Sequence, residues 1–246
     1  MTEYDEERIA KSAKIENSNI KAKNIVIEED VVLKNLKVEA ESFIVKRNTK
    51  INDSILLSNG KIQIENHVQI KENSVLKAFL GIKVGSRTII DRGVIIAGIQ
   101  SERSYFEIGN FSNILHHSYI NPMREVIIGN KVGIGGFCLI FTHGIWQNVF
   151  KGYPMQDGKV EIKDEAWLAW HVFVGPGVTI GKGATIAGGT VIWKDVPDYC
   201  LAAGNPAKII PRNWLVKGLK KESKHQLLLK VLNEFKDHFY KYIGNK

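Results

Sequence analysis

The most regular feature of this chain is an aliphatic residue at every sixth position. In the second half of the chain these positions are Ile162, Leu168, Val174, Ile180, Ile186 and Ile192. The same spacing recurs in earlier blocks that begin at residues 20, 64, 84, 108 and 128. A period of six fits neither an amphipathic helix, with a period of about 3.6, nor an ordinary strand, with a period of about 2.

The period of six instead predicts a solenoid in which each hexad supplies one short strand and one corner, and three hexads close a triangular coil. The aliphatic side chains point into the prism and stack on their equivalents in neighbouring coils. Small residues such as Gly177, Gly183 and Gly189 recur between them, where a corner favours compact side chains or a positive φ. The predicted fold class is therefore an all-β solenoid, a parallel β-helix of hexapeptide repeats.

Interruptions of the hexad pattern divide the chain into segments. Residues 141–161 lack the pattern and are predicted to form an excursion loop, and excursions from a rigid scaffold commonly carry function. Leucines and aromatic residues with helical spacing predict a C-terminal α-helix in residues 212–246. Residues 1–17 are predicted to form an N-terminal cap over the first coil, which leaves residues 18–211 for the β-helix domain.

Charge and composition limit the classes of molecule that this chain is predicted to bind. The 246 residues carry a formal charge of +8, but the basic residues are scattered, and the one dense lysine run, at 217–224, is typical of a solvated helix face. Nucleic acid is therefore not a predicted partner.

No stretch approaches the roughly 18 apolar residues that a membrane span needs. The N-terminus is charged from its start, unlike a secretory signal, and the two cysteines do not make a disulfide framework. A cytoplasmic location is predicted.

The most specific motifs lie in the second half of the chain. Residues 174–197 read VGPGVTIGKGATIAGGTVIWKDVP, and residues 203–210 read AGNPAKII. Residues 128–143, IGNKVGIGGFCLIFTH, lead up to a histidine. Together these segments resemble the hexapeptide-repeat acyltransferases, and in particular the sugar O-acetyltransferases related to galactoside and maltose acetyltransferases and found in polysaccharide gene clusters.

The resemblance implies several properties of the whole molecule. It implies a left-handed β-helix, although parallel crossovers are normally right-handed. It implies a homotrimer with active sites between subunits and acetyl-CoA as the co-substrate. The implied acceptor is a hydroxyl of a sugar, such as a bacterial surface polysaccharide or its precursor.

His143 is the predicted catalytic residue, because it opens the excursion and ends the segment that resembles the family. The resemblance implies a general base for the acceptor hydroxyl, a task that suits an imidazole that is neutral near pH 7. Many relatives have an acidic residue or a second histidine just after this position, whereas this chain has Gly144 and Ile145. Asp157 or a backbone carbonyl is the predicted partner that orients His143.

The resemblance also implies residues for the coenzyme. The stretch that contains Ala169 and Trp170 is expected to border the pantetheine, and the backbone N–H of Trp170 is a candidate oxyanion donor. Gly188 is expected to let the pantetheine arm run close to the backbone. Lys194 and Lys208 match positions where basic residues meet the coenzyme's phosphates.

Candidate acceptor-binding residues are less strongly indicated. His116 and His117 lie about one coil before His143, so one of them is a candidate to line the same cleft, and Asn113 is a further candidate to approach the acceptor. The alternative for each is a solvated or structural corner residue. Tyr153, in the excursion, is suited either to stacking on a pyranose or to packing the loop on a neighbouring subunit.

Two other functions stay open, and the sequence argues against a third. The first is N-acetylation of an amino-sugar nucleotide on the same fold. The second is a non-catalytic β-helix scaffold, which predicts that coenzyme A does not bind. The third is a zinc hydratase of the γ-carbonic anhydrase type, which needs two histidines five residues apart. Because His117 is followed at that spacing by Pro122, no metal is expected.

Overall fold

The fold is given by a computed structural model that describes residues 6–99, 101–144, 148–154 and 156–210, together with 225–226, 228–230 and 232–233. Residues 6–210 wind into a parallel β-solenoid of about ten turns. Each turn adds a strand of two to four residues to three sheets in succession, which is the arrangement that a period of six predicts.

The first sheet has nine strands, which pair in the order in which the turns follow one another. They are β1 (Glu6–Ile9), β4 (Asn24–Ile27), β7 (Ser42–Val45), β10 (Lys61–Ile64), β13 (Gly81–Val84), β16 (Tyr105–Ile108), β19 (Val126–Ile128), β22 (Val160–Ile162) and β25 (Thr179–Ile180). All of their pairings are parallel.

The second sheet has eleven strands, and the last two form an antiparallel hairpin. They are β2 (Lys14–Glu16), β5 (Val32–Lys34), β8 (Lys50–Asn52), β11 (Gln69–Ile70), β14 (Ile89–Ile90), β17 (Asn113–Ile114), β20 (Gly133–Ile134), β23 (Trp167–Leu168), β26 (Thr185–Ile186), β28 (Leu201–Ala203) and β29 (Lys208–Ile210).

The third sheet has nine strands and precedes each return to the first sheet. They are β3 (Asn19–Lys21), β6 (Lys37–Glu39), β9 (Ile55–Leu57), β12 (Val75–Lys77), β15 (Ile95–Ile96), β18 (Tyr119–Asn121), β21 (Leu139–Phe141), β24 (Phe173–Val174) and β27 (Val191–Ile192). A short 3-10 helix, Val149–Lys151, lies within the excursion.

The core is the stack of inward aliphatic side chains that the hexads predict. All six aliphatic residues of the series from 162 to 192 are buried, with at most 1% of their surface exposed. Burying one such side chain stabilises the fold by about 1.5–3 kcal/mol. Because each coil buries its side chains against the next, stability comes from stacking.

In the first coils the inward position in the first and second sheets differs from the predicted one by a single residue, whereas Val38 of the third sheet is buried as predicted. Val32 and Ile44, predicted to point inward, are partly exposed, whereas the neighbouring Leu33 and Val45 are buried. The sequence is ambiguous here because aliphatic residues occupy both positions. Successive side chains of a strand face opposite sides, so a shift of one residue exchanges the inner and outer faces.

Residues 6–16 are part of the solenoid, whereas the sequence predicted a separate cap for residues 1–17. β1 pairs in parallel with β4, and β2 pairs in parallel with β5. The predicted boundary therefore falls inside the first coil, and residues 1–5 lie outside the described residues. Most of the predicted C-terminal helix also lies outside them, although the described residues between 225 and 233 are helical. Residues 212–246 form a unit of their own.

Candidate active site

Two corners of the prism carry most of the residues predicted to act. The second–third corner joins the second sheet to the third and includes residues 115–118, 135–138 and 169–172. The third–first corner joins the third sheet to the first and includes residues 121–125 and the excursion at 141–159. The third sheet separates the two corners within one chain.

His143 lies at the neck of the excursion. It forms an isolated antiparallel bridge with Asp157, and the N–H of Gly144 donates to the carbonyl of Gln156 at 2.9 Å. The excursion is therefore a loop with its two ends hydrogen-bonded together. This arrangement fixes the backbone of His143 although the side chain belongs to a loop.

Thr142 ties this neck to the coil that precedes it. Its side chain is fully buried, and its hydroxyl donates to the carbonyl of Asn121 at 2.8 Å. The same hydroxyl accepts the backbone N–H of Arg124 at 2.9 Å. The residue next to His143 is thus anchored to a buried strand end.

The surroundings of His143 favour the neutral imidazole. Burial lowers the pKa of His143 below its usual value of 6.5, and the charge of Asp157 opposes this shift without cancelling it. The Asp157 carboxylate accepts hydrogen bonds from Nε and Nη2 of Arg124, and it acts on His143 through charge. Nδ1 of His143 is buried and has no hydrogen-bond partner in the described part of the chain. Nε2 is therefore the ring nitrogen available for proton transfer.

Ala169, Trp170 and Gly188 come together at the second–third corner, in consecutive coils. The carbonyl of Trp170 accepts the N–H of Gly189 at 3.0 Å, whereas its own N–H donates to no group among the described residues. A β-carbon at Gly188 would lie 3.3 Å from the Trp170 carbonyl oxygen, which is tight, so a glycine suits this position. The corner therefore offers an unused backbone donor with a glycine next to it in the following coil.

The two predicted phosphate-binding lysines lie elsewhere. Lys194 follows β27 and, with Trp193 and Pro206, lines a pocket of about 320 Å³. Lys208 begins β29, where its side chain is exposed. Neither lysine lies at the second–third corner itself.

The predicted acceptor residues do not gather around His143 within one chain. Asn113 is exposed on the outer face of the second sheet, close to Gly133. His117 occupies the second–third corner with a φ of 56°. Tyr153 lies in the excursion and is half exposed. A single chain therefore distributes these three residues over different faces of the prism.

The sequence singled out His116 and Trp170 but not the contacts that join them to Asp91 at the second–third corner. Asp91 lies 3.5 Å from His116, and the His116 ring lies 5.0 Å from the ring of Trp170. Phe137 stacks on His171 at 5.3 Å. No sequence signal connects Asp91 to His116, because an inserted loop at 97–104 alters the spacing between their coils.

The described residues form neither a metal site nor a membrane-spanning helix. No group of three or more histidine, cysteine, aspartate or glutamate side chains is placed to hold a metal ion in the part of the chain that the structure describes. Within that same part, no helix has the length and apolar character to cross a membrane.

Known proteins similar in sequence match only part of the chain. No protein-family model matches it. A Staphylococcus aureus protein provisionally named an acetyltransferase is 45% identical over 60 residues, which are 24% of this chain and 30% of that protein. The galactoside O-acetyltransferase of Escherichia coli is 30% identical over 114 residues, 43% of this chain and 56% of that protein. The chain thus spans about a third to just over half of these relatives' lengths, and the resemblance stated from the motifs is confirmed.

The likeness in structure covers nearly the whole chain. The UDP-N-acetylglucosamine acyltransferase of Francisella novicida superposes with a TM-score of 0.63 at 18% identity, over 96% of this chain and 91% of that one. At this identity the likeness shows the fold alone. The predicted left-handed parallel β-helix of hexapeptide repeats is confirmed.

Proposed function

We propose that this chain is an acetyl-CoA-dependent O-acetyltransferase that acts on a sugar hydroxyl, with His143 as the general base. The observation that carries the proposal is the imidazole at the neck of the excursion, whose pKa is lowered by burial and whose buried, unpartnered Nδ1 leaves Nε2 for proton transfer. The galactoside O-acetyltransferase match supports acetyl transfer to a sugar hydroxyl.

The proposed reaction is a direct transfer. Nε2 of His143 takes the proton of the acceptor hydroxyl as its oxygen bonds to the thioester carbonyl carbon. When the carbon–sulfur bond then breaks, the imidazolium returns the proton to the leaving thiolate. The products are the acetyl ester and coenzyme A, and His143 is neutral again.

The unused N–H of Trp170 is the proposed donor to the oxyanion that forms on the thioester carbonyl. A preorganised backbone donor of this kind contributes about 3–4 kcal/mol to transition-state stabilisation. Ala169 and Gly188 are small residues, so they add little side-chain bulk on the path to this N–H. Lys194 and Lys208 are proposed to meet the coenzyme's phosphates at the far end of the groove.

Two copies of the chain are proposed to complete each site, in a homotrimer. His143 lies at the third–first corner and Trp170 at the second–third corner, with a sheet between them. If a neighbouring prism brings its second–third corner to this third–first corner, base and oxyanion donor face one groove. The exposed Leu139 and Trp193 on the outer side of the third sheet and its edge give such a contact apolar surface to bury.

The test is acetyl-CoA turnover against a panel of sugar acceptors, with the wild type compared with His143→Ala. Loss of a general base lowers the rate by about 10²–10⁴-fold. His67→Ala is the matched control, because His67 is an exposed corner histidine with a φ of 59° that has no proposed role.

Each outcome has a distinct meaning. Unchanged turnover in His143→Ala would overturn the assignment of the base. Turnover by the wild type on amino sugars but on no hydroxyl would favour N-acetylation instead. Absence of coenzyme A binding in calorimetry would leave the scaffold as the better description.

A further inference from the structure

A carboxylate–imidazole pair lies at the second–third corner, apart from the neck that holds His143. Oδ2 of Asp91 is 3.5 Å from Nδ1 of His116. The two residues follow β14 and β17, which are neighbours in the second sheet, so the pair spans adjacent coils. Their side chains are mostly shielded, with 16% and 25% of the surface exposed.

Asp91 is held in place by further contacts. The backbone N–H of Arg92 donates to its Oδ1 at 2.9 Å, and Nζ of Lys71 lies 3.1 Å from the same oxygen. Burial pushes the pKa of Asp91 up, but Arg92, Lys71 and His116 together hold it below the usual value. The carboxylate is therefore ionised at neutral pH, and its Oδ2 faces His116.

At 3.5 Å this contact is longer than an ordinary hydrogen bond, but it sets a carboxylate oxygen against Nδ1 of His116 and so favours one neutral tautomer. A carboxylate only accepts hydrogen bonds, so the neutral imidazole beside it has its hydrogen on Nδ1. Nε2 then carries the lone pair and is the hydrogen-bond acceptor that His116 offers to a ligand. His116 thus has the carboxylate partner that His143 lacks.

The aromatic neighbours of His116 place the pair beside the proposed groove. The indole of Trp170 meets the imidazole edge-to-face at a ring distance of 5.0 Å. It reaches His116 across Gly136, where a β-carbon would lie 2.9 Å from the indole. Trp170 nevertheless has 43% of its surface exposed. An oriented imidazole and an accessible indole therefore share one corner.

We propose that His116 binds the acceptor sugar, with Nε2 accepting a hydrogen bond from one of its hydroxyls while the sugar ring packs on Trp170. A pyranose presents both hydroxyl donors and apolar C–H faces, which match an imidazole acceptor and an indole surface. Asp91 is the positioning residue, because it acts only by fixing the tautomer and orientation of His116. This inference rests on the proposed function and gives the acceptor class as a pyranose that retains a free hydroxyl besides the one acetylated.

The kinetic test compares His116→Ala and Asp91→Asn with Lys71→Gln. Removing a hydrogen bond of this type weakens binding by about tenfold. We expect both site variants to raise the KM for the sugar by about that factor. Lys71→Gln is the comparison variant, because it removes a partner of Oδ1 of the same carboxylate and spares the contact of Oδ2 with His116.

A second readout separates positioning from folding. Nitrogen-15 NMR of the histidine side chains reports the neutral tautomer of His116 without any substrate. We expect the Nδ1–H form in the wild type and in Lys71→Gln, and a loss of that preference in Asp91→Asn, since an amide donates as readily as it accepts. Titration with methyl pyranosides should shift the His116 signals in the wild type and not in Trp170→Ala.

Either of two results would overturn the inference. One is an Nε2–H tautomer of His116 in the wild type. The other is an unchanged acceptor KM in His116→Ala. A failure of the proposed function looks different, because the wild type would then acetylate no hydroxyl. In that case a pyranoside-dependent shift of His116 still supports sugar binding, and its absence overturns it.

Discussion

The hydroxyl of Thr142 connects the neck of the excursion to the preceding coil, and Thr142→Val removes that hydroxyl at nearly constant volume. In the wild type the hydroxyl donates to the Asn121 carbonyl and accepts the N–H of Arg124. After the substitution the Asn121 carbonyl keeps the backbone N–H of Thr142, at 3.3 Å, as a donor. The N–H of Arg124 loses its acceptor in a partly buried place.

The free-energy cost of the substitution follows from the one N–H donor, that of Arg124, which is left without an acceptor. A buried polar group without a partner costs about 1–3 kcal/mol, and we take about 2 kcal/mol. Because the neck can open without unfolding the solenoid, the cost should appear as easier local opening. An opening free energy lower by about 2 kcal/mol corresponds to about 30-fold faster exchange of amide hydrogens at Gly144 and Gly158, whose N–H groups close the neck.

Hydrogen exchange measured by NMR or mass spectrometry checks this value. Thr142→Ser is the matched control, because it keeps both hydrogen bonds and loses only a methyl group. We expect the serine variant to exchange nearly as slowly as the wild type at these two amides, and the valine variant to lose most of its turnover. Equal exchange rates in the valine and serine variants would refute the assignment of the hydroxyl as the anchor.

Three further predictions concern charge, coenzyme binding and backbone fit. The acid limb of the kcat/KM profile should have its inflection below pH 6.5, since the base must be neutral and burial lowers the pKa of His143; an inflection at or above that value contradicts the assignment. Lys194→Ala should raise the KM for acetyl-CoA about 3–10-fold, whereas the exposed Lys163→Ala should leave it unchanged. Gly98→Ala should lower the free energy of unfolding by at least about 2 kcal/mol more than Gly177→Ala, as measured by urea titration. Both glycines have a positive φ, but only at Gly98 would a β-carbon collide with a side-chain amide; equal losses would show that backbone strain alone matters.

Only part of the candidate site could be predicted from the sequence. His143 was identified because it ends a recognisable motif and opens the excursion, and both are features of linear order. Arg124, which binds Asp157, was not identified, because these two residues are joined across the excursion, 33 positions apart. The contact between Asp91 and His116 was not identified for a similar reason, since a loop between their coils alters the spacing that would have aligned them.

The period of six by itself determined the solenoid, since a side chain that repeats once per strand and corner can be buried only by stacking coil on coil. It also located the excursion, because a loop leaves the prism wherever the period stops. The tertiary structure decided which residues face inward in strands such as β5 and β7. Aliphatic residues occupy both faces of these strands, and only packing against the next coil selects the inner face. It also decided which polar side chains meet, because contacts between coils depend on the length of every intervening turn. The tertiary structure likewise decided that His143 and Trp170 lie at different corners. Residues that are neighbours along one corner are distant in sequence, and residues of similar sequence motifs can lie on opposite sides of a sheet.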